Sequence, residues 1–554
     1  MSGLPESLEL PVGKRTLKYR FFEMLPGLLS WSLLIFVPVI SFLDKTSLFA
    51  AGFILLFMIS WFYRAVGMAF RTLQGYKRMK NSETIPWLEW LNHLENPEDV
   101  INKLQQKKAL SSNEKVHLEN LTEYVKDPQL HDLRPSDLLQ LIIIPLWREG
   151  YEVLAPTIQS FLDSNYPNKQ MILVLAYEER GGEEPIKTTE RLLKEFGDKF
   201  LYATRFQHVD GPNEVVGKGG NVTYAAKQIM PYFKQHHIDP ARVMVSTFDA
   251  DNKPHKDYLA HLSYSYILTH DRKHRSYQPL ALYTNNIWDA PAPMRVLAVG
   301  NSFFTIVQSV RPHLLRNFSS HSQPLDGLLE TSFWSTRSIV EDGHQFWRSY
   351  FRFGGNHSVV PIYSPNYQDA VLSDTYRATL KAQFIQLRRW AYGASDIAYI
   401  SNLGFRRKKD RIVPLHDFLP KFLRLLDTHV SWATAAILLL VAPRIPLLVG
   451  RQVDKSIVAY QLPVIASYAQ TLALGGLFVS IFLSMKLLPR RPERYKRHRT
   501  VLMLAQWVLL PFTSIIYGAG AGLYSQTRLL LGKYLDKFDL THKGIKAPKG
   551  SKSA

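Results

Sequence analysis

The stretch Val243-Met244-Val245-Ser246-Thr247-Phe248-Asp249-Ala250-Asp251 places two carboxylates directly after a short apolar run. Comparable apolar runs occupy residues 139–145 and 170–176, and residues 153–162 between them have the apolar spacing of a helix. Strands that alternate with helices predict βαβ units and a mostly parallel sheet. Since ligands of such sheets bind at the carboxyl ends of the strands, this acidic pair is predicted to lie in a binding site.

Apolar blocks long enough to cross a bilayer lie on both sides of this region. The first two, residues 24–43 and 48–66, are separated only by the short segment 44–47. Each approaches the roughly 20 residues that a spanning helix needs, so together they predict a helical hairpin. Residues 430–449 and 464–488 form two more apolar blocks after the α/β region and predict further membrane helices.

Two other segments near the C-terminus are predicted to contact the membrane without simply crossing it. Residues 419–426 have an amphipathic pattern that predicts a helix in the membrane interface. The last apolar block, residues 501–532, is long for one span and short for two. Pro511 and the glycines of 518–522 predict that this block bends into a re-entrant hairpin.

The formal net charge of +20 is concentrated at the edges of the apolar blocks. Basic residues cluster at 14–20, 64–80 and 490–499. Positive charge beside spanning segments marks the cytoplasmic side, so both outer ends of the hairpin and the basic C-terminal tail are predicted to be cytoplasmic. Nucleic-acid binding is the alternative interpretation of such a charge, and this placement favours the membrane over it.

The composition also excludes several kinds of site. The sequence has no cysteine, which rules out disulfides, thiolate metal sites and cysteine nucleophiles. It contains neither a His-Glu-x-x-His helix nor a Gly-x-Ser-x-Gly elbow.

These patterns predict an α/β domain inserted between the helices of a multi-pass membrane protein. The predicted parts are an N-terminal transmembrane hairpin (1–75), a cytoplasmic helical linker (76–135), a cytoplasmic α/β domain (136–415), an interfacial helix with a C-terminal transmembrane region (416–532) and a cytoplasmic tail (533–554).

Two acidic pairs are candidates for chemistry. Asp249 and Asp251 can face a divalent cation such as Mg²⁺ or Mn²⁺, which would in turn bind a diphosphate; the alternative is an acidic turn that closes a strand. Glu341-Asp342 lies in a basic and aromatic region and offers a carboxylate base for a hydroxyl group. The alternative for this second pair is a solvated helix N-terminus, where acidic residues are common.

A helical stretch carries Gln386, Arg389 and Trp390. The planar arginine fork suits a diphosphate, and the tryptophan offers a flat face to a sugar ring. An arginine and a tryptophan at a membrane interface are the equally weighted alternative. The glycine-rich turn with Lys218 and Asn221 lacks the spacing of a phosphate-binding P-loop and is interpreted as a basic turn that enters a helix.

Taken together, these motifs resemble those of the membrane-bound family 2 glycosyltransferases of the cellulose synthase and hyaluronan synthase type. The resemblance covers residues 139–390 and, less closely, the flanking helices and the tail. Asp249 and Asp251 match the DxD motif, Asp342 matches the catalytic base, and Gln386, Arg389 and Trp390 match QxxRW.

The remaining matches are weaker. Glu149 ends a segment similar to the loop beside the nucleotide base, and Glu178 stands where the family has an aspartate after the second strand. Lys218 and Asn221 resemble the family's lysine-and-asparagine turn. The segment Phe538-Asp539-Leu540-Thr541-His542-Lys543 resembles the gating loop FxVTxK, so Thr541 and Lys543 are implied phosphate contacts. The base also departs from the pattern, because Val340-Glu341 precedes it in place of Thr-Glu.

The resemblance implies a GT-A-type domain and inverting transfer of a sugar from a nucleotide-diphosphate sugar, with UDP as the expected nucleotide and Mg²⁺ or Mn²⁺ as cofactor. Asp342 is the implied base, and Glu341 joins the substrate-binding residues. The expected acceptor is a growing polysaccharide that is extruded through a bacterial-type plasma membrane. Transfer of one sugar to a polyprenyl-phosphate or another lipid, and a non-catalytic nucleotide-binding membrane receptor, are the alternatives. Membrane lipids are expected partners and nucleic acid is not, while the existence of a partner subunit is left open.

Overall fold

A computed structural model describes residues 5–450 and 457–535. Its centre is one sheet of eight strands in the spatial order β3-β2-β1-β4-β7-β6-β8-β5. The strands are β1 (Leu139–Leu146), β2 (Met171–Glu178), β3 (Tyr202–His208), β4 (Val243–Thr247), β5 (Lys253–Pro254), β6 (Arg275–Leu282), β7 (Ser322–Pro324) and β8 (Ser358–Tyr367). The pairs β1–β2, β1–β4, β2–β3 and β6–β8 are parallel, while β4–β7, β6–β7 and β5–β8 are antiparallel. The predicted class, a mostly parallel α/β sheet between membrane-type helices, is confirmed.

Helices precede, surround and follow the sheet. Before it lie α1 (Leu17–Leu43), α2 (Leu48–Ser82), α3 (Trp87–His93), α4 (Pro97–Gln105), α5 (Ser112–Lys126) and α6 (Pro128–His131). Within the domain are α7 (Tyr151–Leu162), α8 (Glu183–Phe196), α9 (Lys218–Gln228), α10 (Met230–Gln235), α11 (Tyr258–Ile267), α12 (Ala292–Ser309), α13 (Leu325–Glu330), α14 (Glu341–Arg352), α15 (Tyr376–Ala391) and α16 (Asp396–Gly404). After it come α17 (Leu415–Leu440), α18 (Ile445–Val449), α19 (Ile457–Leu487), α20 (His498–Ala505), α21 (Leu510–Thr513) and α22 (Gly520–Leu530).

The central strands are apolar throughout because helices cover both faces of the sheet. Every residue of β2 is buried, and so are the central residues of β1. Alternate residues of these strands belong to two hydrophobic clusters, one on each face, with Leu173 in the first and Val174 in the second. This two-sided burial explains why both strands read as continuous apolar runs and not as an alternation of apolar and polar residues.

The linker helices dock on α11 through stacked aromatic rings. Trp87 stacks on His261 with the ring centroids 3.6 Å apart, and Trp90 stacks on His117 at 4.3 Å. The Nδ1 atom of His117 lies 2.8 Å from the Tyr264 hydroxyl. Burial lowers the pKa of both His117 and His261 to about 3, so both imidazoles are neutral at physiological pH.

Within residues 5–450 and 457–535, five helical segments are long and apolar enough to cross a membrane: α1, α2, α17, α19 and the path from His498 to Leu530. The helices α1 and α2 expose large apolar side chains along their lengths; Phe49 and Leu56, for example, are 73% and 71% exposed. The amphipathic segment 419–426, predicted to lie in the membrane interface, is continuous with a longer apolar helix. It forms the first turns of α17, because residues 421–440 contain neither proline nor glycine to end the helix.

The last apolar block is not a hairpin. Its path from His498 to Leu530 is helical throughout, with a π-helical segment at Ser514–Ala519. Gly522 permits close helix packing, because a Cβ atom there would lie 3.0 Å from the Cα of Ala433 in α17. Both ends contact the α/β domain, through Arg499 at the Trp288 carbonyl (3.1 Å) and Leu535 at the Tyr392 hydroxyl (3.3 Å).

The C-terminal end of α22 is joined to the beginning of α1. Arg20 donates to the carbonyls of Leu529 (2.6 Å) and Leu530 (2.7 Å), which caps α22. Glu23 is fully buried in α1; it accepts hydrogen bonds from Arg20 at 3.0 Å and from the Tyr534 hydroxyl at 2.9 Å, and it also pairs with Arg15. The two ends of the chain thus form one charged cluster.

Candidate active site

A cavity of about 100 Å³ opens where several strands end. Because β6 and β8 run in the same direction as β4, the carboxyl ends of all three meet at one edge of the sheet. The beginnings of α9 and α14 and the second half of α15 complete the wall. The polar and aromatic side chains in it are Lys218, Asp249, Asp251, Tyr283, Ser319, Glu341, Asp342, Gln368, Asp369, Gln386, Arg389 and Trp390.

Lys218 connects the two predicted acidic pairs. Its Nζ atom lies 2.8 Å from Oδ1 of Asp249 and 3.9 Å from Oε1 of Glu341. Ser319 donates to the second oxygen of Asp249. Burial alone would lower the pKa of Lys218, but the charges of Asp249, Glu341 and Asp342 together outweigh it and raise that pKa. The lysine is therefore a permanent cation that neutralises part of an acidic cavity.

Asp251 is positioned by the strands on its side of the sheet. The amide of Asp369, which follows β8, donates to Oδ2 of Asp251 at 3.0 Å. Asn285, in the loop after β6, donates to the backbone carbonyl of Asp251 at 3.0 Å. Asp251 lines the cavity, although the residue as a whole is only 6% exposed.

Glu341 and Asp342 form the first turn of α14, where the helix dipole favours negative charge. The backbone amide of Gly343 donates to Asp342 Oδ1 at 2.7 Å. Burial, and after it the charge of Asp342, raises the pKa of Glu341 to about 8. Burial likewise raises the pKa of Asp342, against the opposing charges of Lys218 and Arg389.

A glycine allows the lysine and the acidic pair to meet. A Cβ atom on Gly219 would lie 2.4 Å from the Ser335 carbonyl oxygen and 3.1 Å from Cβ of Glu341. Any larger residue would therefore push α9 away from α14. The glycine-rich turn serves this close approach of two helix beginnings.

The α15 residues Gln386, Arg389 and Trp390 all line the cavity. Gln383 donates to Oε1 of Gln386 at 3.2 Å, and the Trp390 ring lies 6.2 Å from that of Tyr283. The equally weighted alternative for this motif, an arginine and a tryptophan that only contact the membrane interface, does not account for side chains that face the acidic pairs.

Three predicted binding residues lie outside the cavity wall. Glu149 accepts hydrogen bonds from the amides of Trp147 (2.7 Å) and Arg148 (3.2 Å). Glu178 ends β2 and pairs with Arg180. Asn221 donates to the carbonyl of Ala176 at 2.8 Å, which ties α9 to β2. The remaining two predicted residues, Thr541 and Lys543, lie outside the described residues.

The cavity also contains residues that the sequence analysis did not select: Tyr283, Ser319, Gln368 and Asp369. The strand-end rule selects three of them only once β6 and β8 are known, because Tyr283 directly follows β6, and Gln368 and Asp369 directly follow β8. Burial, and then the nearby aspartates, raises the pKa of Tyr283. Its hydroxyl therefore remains a hydrogen-bond donor over the physiological range.

Within residues 5–450 and 457–535, no three histidine or carboxylate side chains are grouped so that they hold a metal ion by themselves. The two DxD carboxylates nevertheless line the same cavity. Mg²⁺ and Mn²⁺ commonly bind through one or two carboxylates, with substrate phosphates and waters completing the coordination. The residues present thus fit a cation that arrives with a diphosphate.

No protein-family profile matches the sequence, and no curated protein matches it. Among solved structures, the mannosyltransferase PcManGT from Pyrobaculum calidifontis, in complex with GDP-Man and Mn²⁺, is 13% identical with a TM-score of 0.38, over 84% of this chain and 100% of that chain. TarS 1–349 from S. aureus, in complex with UDP-GlcNAc, is 12% identical with a TM-score of 0.36, over 72% of this chain and 93% of that chain. Since both TM-scores lie below 0.5, function must be inferred from the cavity and not from these neighbours.

Proposed function

We propose that this chain is a membrane-bound glycosyltransferase that moves a sugar from a nucleotide-diphosphate sugar to a saccharide acceptor. One observation carries the proposal: a single cavity holds the DxD pair, the Glu341-Asp342 pair and the Gln386, Arg389 and Trp390 side chains. These groups lie far apart in the sequence, and their meeting at the carboxyl edge of the sheet supplies the groups that sugar transfer needs. A receptor that only bound nucleotide would not need the second acidic pair.

Asp249 and Asp251 would hold Mg²⁺ or Mn²⁺ together with oxygens of the donor diphosphate. When bound, the cation supplies positive charge to the leaving group. The Nζ atom of Lys218 lies 2.8 Å from Asp249, and its positive charge reduces the repulsion between the acidic cavity and an anionic donor. Arg389 also lines the cavity and would add a second cation for the diphosphate.

Asp342 is the proposed base. It takes the proton from an acceptor hydroxyl while that oxygen attacks the anomeric carbon. The bond between that carbon and the diphosphate oxygen breaks, and the nucleotide diphosphate leaves with the electron pair. Because attack and departure occur on opposite sides, the anomeric configuration inverts. A raised pKa makes the carboxylate a stronger base, which suits this role.

The donor is proposed to be a UDP-sugar that lies mostly along the strand ends and not within the cavity. A volume of about 100 Å³ is below the ~300 Å³ of ordinary ligand pockets, so it accommodates the reacting groups but not the whole donor. Glu178 ends β2 and Glu149 follows the neighbouring strand β1, which is the side of the sheet where the nucleotide is expected.

The acceptor is proposed to be a growing polysaccharide that leaves through the membrane helices. The helix α15, with Trp390 on the cavity side, packs against α22: Ser525 donates to the Arg388 carbonyl at 2.5 Å. The reacting centre thus adjoins the C-terminal helices. The basic residues near the domain ends of these helices favour a cytoplasmic domain. A lipid-linked acceptor is the second candidate, because the same contacts bring the cavity close to the bilayer.

The test is release of nucleotide diphosphate by the purified full-length chain in lipid nanodiscs, with a panel of nucleotide sugars and Mg²⁺ or Mn²⁺, followed by sizing of the product. Asp342→Asn is expected to lower turnover 10²- to 10⁴-fold while donor binding persists. Asp374→Asn, an exposed aspartate just before α15, is the matched control and is expected to retain activity. Near-normal turnover by Asp342→Asn would contradict the assigned role.

Product size separates the remaining alternatives. A long polymer supports a processive synthase, and a lipid that carries one sugar supports the second candidate. Nucleotide binding without turnover of any donor would favour the non-catalytic receptor.

A further inference from the structure

A cluster of arginines lies where two membrane-type helices meet the α/β domain. Arg64 of α2 binds Asp427 of α17 through both guanidinium nitrogens, at 3.0 and 3.1 Å. The helix α2 runs towards the domain and α17 runs away from it, so Arg71 and Arg424 both lie on the domain side of this ion pair. The loop after α12 adds Arg311 from the domain.

The cationic junction, defined as Arg64, Arg71, Arg311 and Arg424, is not neutralised by the protein. Asp427 is shared by Arg64 and by Arg424, the latter at 3.7 Å. In the part of the chain that the structure describes, neither Arg71 nor Arg311 has a hydrogen-bonded or ionic side-chain partner. Asp417, at the beginning of α17, already accepts hydrogen bonds from Lys421 and from the Tyr350 hydroxyl.

Arg64 and Arg424 approach each other because both contact the Asp427 carboxylate, at 3.0 and 3.7 Å. Burial, and after it the charges of Arg424 and Arg71, lowers the pKa of Arg311. Arginine does not give up its proton at physiological pH, so this repulsion persists in the folded protein unless an anion offsets it. The junction therefore has the electrostatics of an anion site built from three separate elements.

Exposed apolar side chains lie on the same turns of α2 and α17 as Arg71 and Arg424. Phe70 and Leu73 flank Arg71 on α2 and are 69% and 41% exposed, and Leu423, beside Arg424, is 52% exposed. Acyl chains are the solvent that such side chains favour, whereas a soluble anion makes no use of them. Arginines at the edge of an apolar helical surface match a phosphate headgroup joined to acyl chains.

We propose that the cationic junction binds the headgroup phosphate of an anionic membrane phospholipid, with its acyl chains along α2 and α17. The lipid would bridge the membrane helices and the α/β domain. Its phosphate would offset the repulsion between the arginines that meet there. This inference rests on the proposed membrane location of the helices and not on the transferase activity.

The test uses the full-length chain in nanodiscs of phosphatidylcholine with increasing phosphatidylglycerol, and native mass spectrometry of the lipids that the protein retains. Wild type is expected to retain phosphatidylglycerol in preference to phosphatidylcholine. The double variant Arg311→Gln/Arg424→Gln is expected to weaken that preference roughly 30-fold, from ~1 kcal/mol for each cation near a lipid surface.

The matched control is Arg490→Gln/Arg491→Gln, which removes the same charge from an exposed loop between α19 and α20. This control is expected to keep the preference for phosphatidylglycerol. If both double variants lost that preference equally, the effect would be due to general surface charge and the proposal would be overturned. A wild type without preference would overturn it too. Stabilisation by inorganic phosphate in phosphatidylcholine nanodiscs, equal to that by phosphatidylglycerol, would assign the junction to a soluble anion and also refute it.

Discussion

Replacing Glu341 by glutamine is expected to stabilise the ligand-free protein while it impairs the site. Burial and the charge of Asp342 raise the pKa of Glu341 from its ordinary 4.5 to about 8. A carboxyl group whose pKa is higher in the folded state contributes its full stability below pH 4.5, and that contribution is lost as the pH rises towards 8. Since pH 7 lies about 2.5 pH units above the unfolded-state pKa, at ~1.4 kcal/mol per unit, keeping this side chain buried costs roughly 3 kcal/mol.

Glutamine has the same shape as the protonated carboxyl group and does not ionise, so Glu341→Gln removes this cost. At roughly 2 °C per kcal/mol for a domain of this size, the variant is expected to unfold about 6 °C above the wild type at pH 7. The difference should shrink to about 1 °C at pH 5, where the wild-type carboxyl group costs little. The assay is thermal unfolding in nanodiscs without nucleotide, at intervals between pH 5 and pH 8 and one scan rate.

The control is Glu184→Gln, the same substitution at an exposed position in the first turn of α8. Its unfolding temperatures are expected to follow those of the wild type at every pH. If the unfolding temperatures of wild type and Glu341→Gln changed in parallel from pH 5 to pH 8, the reasoning would be refuted, because ionisation of Glu341 would then not change the free energy of unfolding.

Three further outcomes follow from the structure. Gly27→Ala would place a Cβ atom 2.8 Å from the Gln526 carbonyl oxygen and is expected to cost ~1–3 kcal/mol in thermal unfolding, whereas Gly52→Ala, with nothing within 4 Å, should cost nothing. Burial lowers the pKa of His117 to about 3, so its neutral form contributes ~2 kcal/mol of stability that is lost as the pH falls from 6.5 to 5. His117→Gln is therefore expected to lose less stability over this pH range than the wild type. Thermal unfolding curves with the same pH dependence in both proteins would contradict this. Trp390→Ala is expected to lower transfer to the acceptor on the order of 10²-fold while hydrolysis of the donor persists, as measured by separate assays of product and of free sugar; equal loss of both would place Trp390 at the donor.

The first half of the sheet could be predicted because its signal is local. The strands β1, β2 and β4 are buried on both faces and read as apolar runs, and the DxD pair directly follows one of them. The second half gave no such signal. The strand β8 contains Pro361 and Pro365, which normally argue against a strand, and its register against β6 shifts between Pro279 and Leu280.

That difference explains which site residues the sequence analysis missed. Tyr283 and Asp369 follow β6 and β8, the strands without a sequence signal, so the rule that places ligands at strand ends had no strand to act on. The glycines of 518–522 were misinterpreted for a related reason. A glycine that bends a chain and one that lets two helices touch look alike in sequence, and only the contact of Gly522 with Ala433 distinguishes them.

The charged cluster at Glu23 has a consequence for how the protein is made. The Tyr534 hydroxyl that binds Glu23 comes 511 residues later in the chain, and the carbonyls capped by Arg20 come 509 and 510 residues later. At ~5–20 residues per second, a ribosome needs about 25–100 s to supply them. During that time Glu23 can pair only with Arg15 and Arg20, and the carbonyls at the end of α22 have not yet been made, so the contacts between α1 and the C-terminal helix form last.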